Sequence, residues 1–96
     1  MHVAICRLTL HINSSHSLKE KRRVVHSLRD RLSSKFGIAV AEVDTQDAWQ
    51  LATLGLAAVS QSRTQVQSVM DKAIEYVYVV APESEVSSSD REIFSF

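Results

Sequence analysis

The chain has 96 residues, of which 45% are hydrophobic and 23% charged, and its formal net charge is zero. This is the length of one domain with a single modest core. No apolar run reaches the roughly 20 residues of a membrane-spanning helix, and the N-terminal segment lacks the basic start and continuous apolar stretch of a signal peptide. We therefore expect a cytoplasmic protein without membrane association, and a single cysteine agrees with a reducing compartment.

The charged residues are unevenly distributed along the chain. Residues 18–36 carry seven Lys or Arg and two acidic residues, a local charge of +5, and the rest of the chain carries −5. Such an asymmetry concentrates polyanions at one face. The alternative is a solvated helix whose charges keep the protein soluble.

The first two elements are a strand and a helix. Residues 2–12 alternate in polarity, which predicts a strand. Ser17 followed by Glu20 fits a capping box, and Gly37 fits the left-handed stop of a helix that spans the residues between them. One apolar stripe at helical spacing should be buried: Leu18, Val25, Leu28, Leu32 and Phe36.

The remaining elements follow the same logic. Strands are predicted at 38–44 and 49–60, joined by a hairpin connection at 45–48, and Gly55 marks a bulge or a close approach to a neighbour. A second helix starts within 60–64 and ends by Pro82 at the latest, and the run YVYVV at 76–80 either extends it or frays toward strand. Residues 83–90 are predicted to be an irregular, acidic, serine-rich loop, and 92–96 a closing strand.

This order predicts an α+β fold over residues 1–96, a single ferredoxin-like βαββαβ domain with a four-stranded antiparallel sheet and two helices on one face. Because each helix has only one apolar stripe, the second sheet face should be open. Exposed apolar residues on that face predict a homodimer interface that includes Val3, Ile5, Trp49 and Leu51. Stacking of RNA bases on this face competes with dimerisation, but Trp49 is the only aromatic residue on the two predicted central strands.

The basic helix offers a second route to nucleic acid. Phosphate contacts give affinity without sequence information, which suits structured RNA recognised by shape. The predicted nucleic-acid-binding residues are Lys19, Lys21, Arg22, Arg23, Arg29 and Arg31.

No combination of residues in the sequence predicts a catalytic site. The four histidines match no zinc spacing, and Cys6 and His11 point to opposite faces of one strand. Glu42, Asp44 and Asp47 either hold Mg²⁺ through an RNA phosphate or solvate the hairpin. We predict no catalytic residue, no metal site and no cofactor.

Short strings in the first two thirds of the chain resemble the YlxP-like family of small bacterial proteins of unknown function. They are SLK at 17–19, KR at 21–22, AEVD at 41–44, QD at 46–47, WQ at 49–50 and ATLG at 52–55. The resemblance implies a ferredoxin-like fold, a bacterial cytoplasmic protein that is often a dimer, and genes for translation initiation and ribosome maturation nearby. The leading hypothesis is a non-enzymatic RNA- or ribosome-associated accessory factor. The alternative is a dimeric structural or protein-interaction module that uses the open sheet face and binds no nucleic acid.

Overall fold

Six elements follow one another in the computed structural model, which describes residues 1–96. They are β1 (His2–Ile12), α1 (Leu18–Phe36), β2 (Ala39–Asp44), β3 (Leu51–Ser60), α2 (Arg63–Val80) and β4 (Ser84–Ser95). The strands form one sheet in the order β2-β3-β1-β4, with every neighbouring pair antiparallel. The predicted ferredoxin-like βαββαβ architecture is confirmed. Neither helix is long and apolar enough to cross a membrane.

The core lies between the helices and one face of the sheet. On β1 the alternation of side chains buries every second residue from Ala4 to Ile12. β1 is the central strand, paired with β3 from His2↔Ser60 to His11↔Leu51 and with β4 on its other side. Because both helices cover the same face, the opposite face of the sheet is open.

Helix α1 begins and ends where its capping residues predict. The Ser17 hydroxyl accepts a hydrogen bond from the Glu20 backbone N–H at 3.1 Å. The Glu20 carboxylate accepts from the His16 N–H at 2.6 Å, one residue before the N-cap N–H expected of a capping box. At the other end Gly37 has φ +64° and donates its N–H to the Ser33 carbonyl.

The predicted loop at 83–90 is wrong, because β4 already begins at Ser84. β4 is an edge strand, so its serine and acidic side chains remain in water while β1 supplies the backbone hydrogen bonds. The register moves from Thr9↔Ser88 to Leu10↔Val86, which leaves Ser87 as an extra residue in a bulge. The run at 76–80 extends α2 as helix to Val80.

Of the two roles predicted for Gly55, the structure shows the close approach at the glycine itself, and the bulge lies on the neighbouring strand β2. The β2–β3 register shifts between Glu42 and Asp44, which leaves Val43 unpaired opposite β3. A Cβ atom at Gly55 would lie 2.8 Å from the Val43 Cγ1 atom. Because Gly55 has no side chain, the Val43 side chain can lie against the β3 backbone at this position.

Candidate nucleic-acid interface

Lys21 does not belong to any surface, and its prediction as a phosphate contact is wrong. Its side chain is 0% exposed. The Nζ atom donates hydrogen bonds to the carbonyl oxygens of Thr45 at 2.8 Å and Gln46 at 3.0 Å. Nζ also lies 2.9 Å from Oε2 of Glu42, an ion pair that lacks hydrogen-bond geometry at this oxygen. The lysine therefore joins α1 to the end of β2 and to the following loop.

The helical spacing contains the signal for this burial. The apolar stripe of α1 passes from Leu18 to Val25 with a gap of seven residues, two full turns, so one member of the stripe is missing between them. That member is Lys21, which lies on the same side of α1 as Val25, Leu28 and Leu32. A cation in this position is buried only because β2 and the loop after it present one carboxylate and two carbonyls to it.

Arg29 is partly neutralised within α1. Its Nε atom lies 3.6 Å from Oδ1 of Asp30, and its Nη2 atom lies 2.9 Å from Nε2 of His26. An exposed ion pair of this kind is weak and is screened by salt. Arg29 thus keeps part of its positive potential but has local partners for its N–H groups.

Four of the six predicted contacts stay exposed and without an acidic partner. Lys19, Arg22, Arg23 and Arg31 have no carboxylate oxygen within 4.0 Å. Lys19, Arg22 and Arg23 lie in the first two turns of α1, and the shallow depression that they line is completed by His26, Ser27 and Asp30. Oδ2 of Asp30 lies 3.8 Å from Nε2 of His26, on the side of the depression away from the start of the helix. We call Lys19, Arg22 and Arg23 the cationic surface. The N-terminal end of the helix dipole adds positive potential there.

The loop between β2 and β3, residues 45–50, lies beside the start of α1. Besides the two bonds from Lys21, the Gln50 side-chain amide donates to the Ser15 carbonyl at 3.1 Å. The Ile12 N–H donates to the Gln50 carbonyl at 2.8 Å. Thr45 takes the left-handed conformation, with φ +59°, and its hydroxyl lies 3.0 Å from that of Thr53. The loop is thus tied to the segment that leads into α1.

Trp49 belongs to this loop and not to the strand predicted for it, since β3 begins at Leu51. The indole is 47% exposed and lies outside the hydrophobic core.

The open sheet face carries the other predicted dimer residues. Ile5 is 41% exposed, Leu51 is exposed, and Val3 is half-buried. Two further exposed apolar residues lie on this face outside the named dimer set: Val59, opposite Val3 on β3 and predicted to face this side, and Phe94, opposite Val3 on β4. Phe94 was assigned to a short closing strand whose face the sequence left undefined.

The acidic residues of the hairpin do not converge on one point. No three His, Cys, Asp or Glu side chains form a group that could hold a metal ion. Glu42 pairs with Lys21, and Asp44 accepts a hydrogen bond from the Thr45 N–H at 2.7 Å. The carboxylates therefore serve the loop and its lysine anchor.

Comparison with known families places these features in a wider group. Residues 3–91 match DUF503, a family described as proteins of unknown function. The chain belongs to the DUF503 family. A relative in Bacillus subtilis (strain 168), described as uncharacterized protein YlxP, is 38% identical over 61 residues. That match covers 64% of this chain and 66% of the Bacillus protein, just under two thirds of its length. The resemblance to the YlxP-like family is thereby confirmed.

Solved structures share the fold of this DUF503 chain at low sequence identity. A structural-genomics protein, YJCS, has a TM-score of 0.60 at 14% identity, covering 94% of this chain and 96% of that one. A putative chlorite dismutase, TA0507, has the same TM-score at 12% identity, covering 99% of this chain but only 45% of its own. A designed ferredoxin-fold protein, LFR1, has a TM-score of 0.57 at 10% identity, with coverages of 100% and 87%. Likeness at these identities shows the fold alone.

Proposed function

We propose that this DUF503 protein is a non-enzymatic accessory factor that binds structured RNA through the cationic surface. The observation that carries the proposal is the exposure of Lys19, Arg22 and Arg23 without any acidic partner on the first two turns of α1. Ribosomal RNA is the target that the family resemblance favours.

The physical argument is electrostatic. Cations that replace condensed counterions on a phosphate backbone gain free energy from counterion release. The net charge of α1 is +5 and that of the remaining chain is −5, so a polyanion is attracted to α1 and repelled from the rest. The cationic surface therefore sets the orientation of the protein on RNA without reading its sequence.

Salt-dependent binding to a stem-loop fragment of ribosomal RNA tests the proposal. Replacing Arg22→Gln together with Arg23→Gln should make the negative slope of log K against log salt shallower by about 2, because each phosphate contact contributes about 1 to its magnitude. The matched control, Arg63→Gln with Lys72→Gln, removes two exposed cations of α2 that also lack acidic partners. An equal loss in both double variants, or a wild-type slope near zero, would contradict the proposal.

A second candidate function is a dimeric structural or protein-interaction module that uses the open sheet face. The observation in its favour is the exposure of Val59 (65%), Phe94 (48%) and Ile5 (41%) on that face. The exposed Arg7–Asp90 pair, 3.3 Å apart, joins β1 to β4 on the same face, and the exposed Glu92, opposite Ile5, adds a carboxylate there. A second copy fits such a face better than a polyanion does.

Light scattering tests this second candidate. Wild type should be dimeric at micromolar concentration, and Val59→Lys should be monomeric. Val79→Lys is the control, because Val79 is similarly exposed but lies on α2, away from the sheet face. A monomeric wild type, or a dimer that survives Val59→Lys, would remove the dimer proposal.

A further inference from the structure

We infer that the groove between α1 and the end of α2 binds an acidic amphipathic helix of a partner protein. This interhelical groove lies on the helical side of the molecule, away from the open sheet face. Its occupant is a protein and not RNA, so the docking site is separate from the contact of the proposed function and does not depend on it.

The floor of the interhelical groove is apolar. Val24 and Leu28 of α1 line a cavity of about 250 Å³ together with Val80 and Ala81 at the end of α2. Val24, Val80 and Ala81 also line a second cavity of about 280 Å³, which continues the groove toward the connection between α2 and β4. These three side chains are only half-buried, so each keeps apolar surface in water. Apolar side chains of a partner would remove that surface from water, which favours binding.

Two guanidinium groups lie on the α1 rim of the groove. Arg23 and Arg31 line the same cavity as the apolar floor, and neither has a carboxylate oxygen within 4.0 Å. Asp30, next to Arg31 in sequence, pairs within α1 and does not line the groove. The only carboxylate that lines either cavity is Glu83, at the far end. The complement of this groove is therefore apolar at the floor and acidic beside α1.

The spacing of the two arginines favours a helix as the occupant. Arg23 and Arg31 are eight residues apart, which is about 12 Å along the axis of α1. Two acidic residues at i and i+7 of a second helix lie on one face about 10.5 Å apart, within reach of flexible arginine side chains. Residues at i+3 and i+4 lie on that same face between them. A partner helix that is acidic at both ends of this pattern and apolar between them matches the rim and the floor together.

The apolar floor distinguishes this partner from RNA. Arg23 also belongs to the cationic surface, so RNA bound there would compete with the partner helix for this one residue. Arg31 and the floor lie outside the cationic surface. A phosphate backbone would contact arginines and leave the floor in water, whereas the partner helix uses both. Loss of apolar surface from the floor should therefore weaken binding of the helix alone.

Fluorescence anisotropy with a labelled helical peptide measures this contact. The probe carries glutamates at i and i+7 and leucines at i+3 and i+4, and a second peptide has lysines in place of both glutamates. The protein should bind the acidic peptide at micromolar concentration and the lysine peptide about tenfold more weakly or worse. Arg31→Glu should weaken acidic-peptide binding about 3- to 10-fold, because attraction becomes repulsion. Val80→Ala should weaken it about 3- to 10-fold, because the floor loses two methyl groups.

The chain offers a matched control for each variant. Lys72→Glu reverses an exposed charge of α2 that does not line the groove. Val59→Ala removes the same two methyl groups from an exposed valine on the open sheet face. Both controls should keep the wild-type affinity for the acidic peptide within about twofold. Circular dichroism checks that each variant is folded.

The outcomes separate this docking site from its alternatives. Absence of acidic-peptide binding at millimolar concentration overturns the inference, and so does equal affinity for the two peptides. An equal loss in Arg31→Glu and Lys72→Glu, or in Val80→Ala and Val59→Ala, places the peptide elsewhere and also overturns it. A ribosomal RNA stem-loop should bind Val80→Ala and wild type equally; a loss of RNA affinity as large as that for the peptide would assign the groove to RNA and overturn the docking site. The expected peptide results in a protein that binds no RNA would support the docking site and contradict the proposed function.

Discussion

Replacement of the buried lysine, Lys21→Met, should destabilise the fold by about 3 kcal/mol. The lost ammonium donates to two carbonyls, at 2.8 and 3.0 Å, and charge-assisted bonds of this kind contribute about 1.5–3 kcal/mol each. The variant also leaves Glu42, 17% exposed, without its ion-pair partner. Part of the lost stability is recovered because methionine, unlike lysine, carries no charge that must be desolvated on folding. The net loss of stability therefore stays near the lower end of the roughly 3–5 kcal/mol typical of a broken buried pair.

Urea denaturation followed by circular dichroism measures this cost. Lys19→Met is the matched control: it removes an exposed lysine two residues away on the same helix and should change stability by less than about 0.5 kcal/mol. For a domain of this size, 3 kcal/mol corresponds to a fall in Tm of roughly 12–24 °C. In the Glu42→Gln background, Lys21→Met should cost less, because the charge that it would strand is already gone.

Two results would refute this reasoning. One is a cost below about 1 kcal/mol for Lys21→Met, which would mean that the loop does not depend on the buried ammonium. The other comes from RNA binding below the variant's melting temperature. Lys21→Met should retain the wild-type salt slope while Lys19→Met loses about one unit of it; a loss in Lys21→Met instead would restore Lys21 as a phosphate contact.

Three backbone and capping variants give further predictions, all measurable by urea or thermal unfolding. Gly37→Ala should cost about 1–2 kcal/mol through its left-handed φ alone, because a Cβ there meets no atom within 4 Å; Gly37→Asn should cost less, and equal costs would contradict this. Gly55→Ala should cost about 1–2 kcal/mol through the 2.8 Å approach to Val43, and Val43→Ala should relieve most of it. Ser17→Ala should cost about 1 kcal/mol by leaving the Glu20 N–H without its acceptor, and no change would show that water replaces the cap.

Much of the candidate interface could be predicted from helical periodicity. The apolar stripe orients α1, and the cations on its far side then face solvent. Residue type misassigned Lys21 to the surface, although its position in the helical period argued for the core. Position prevailed because Glu42 and two carbonyls, more than twenty residues away, surround the ammonium. Such a partner set is not encoded near the lysine in sequence.

By itself the sequence determined the order of elements, both ends of α1 and the openness of one sheet face. These features depend on local signals: period-2 and period-3.6 patterns, a serine cap and a glycine stop. Only the tertiary structure decided that Lys21 is buried, that Trp49 lies in a loop beside α1, and that residues 84–90 continue an edge strand. Each of these depends on which distant backbone groups supply hydrogen bonds, a property of the folded chain that no local pattern contains.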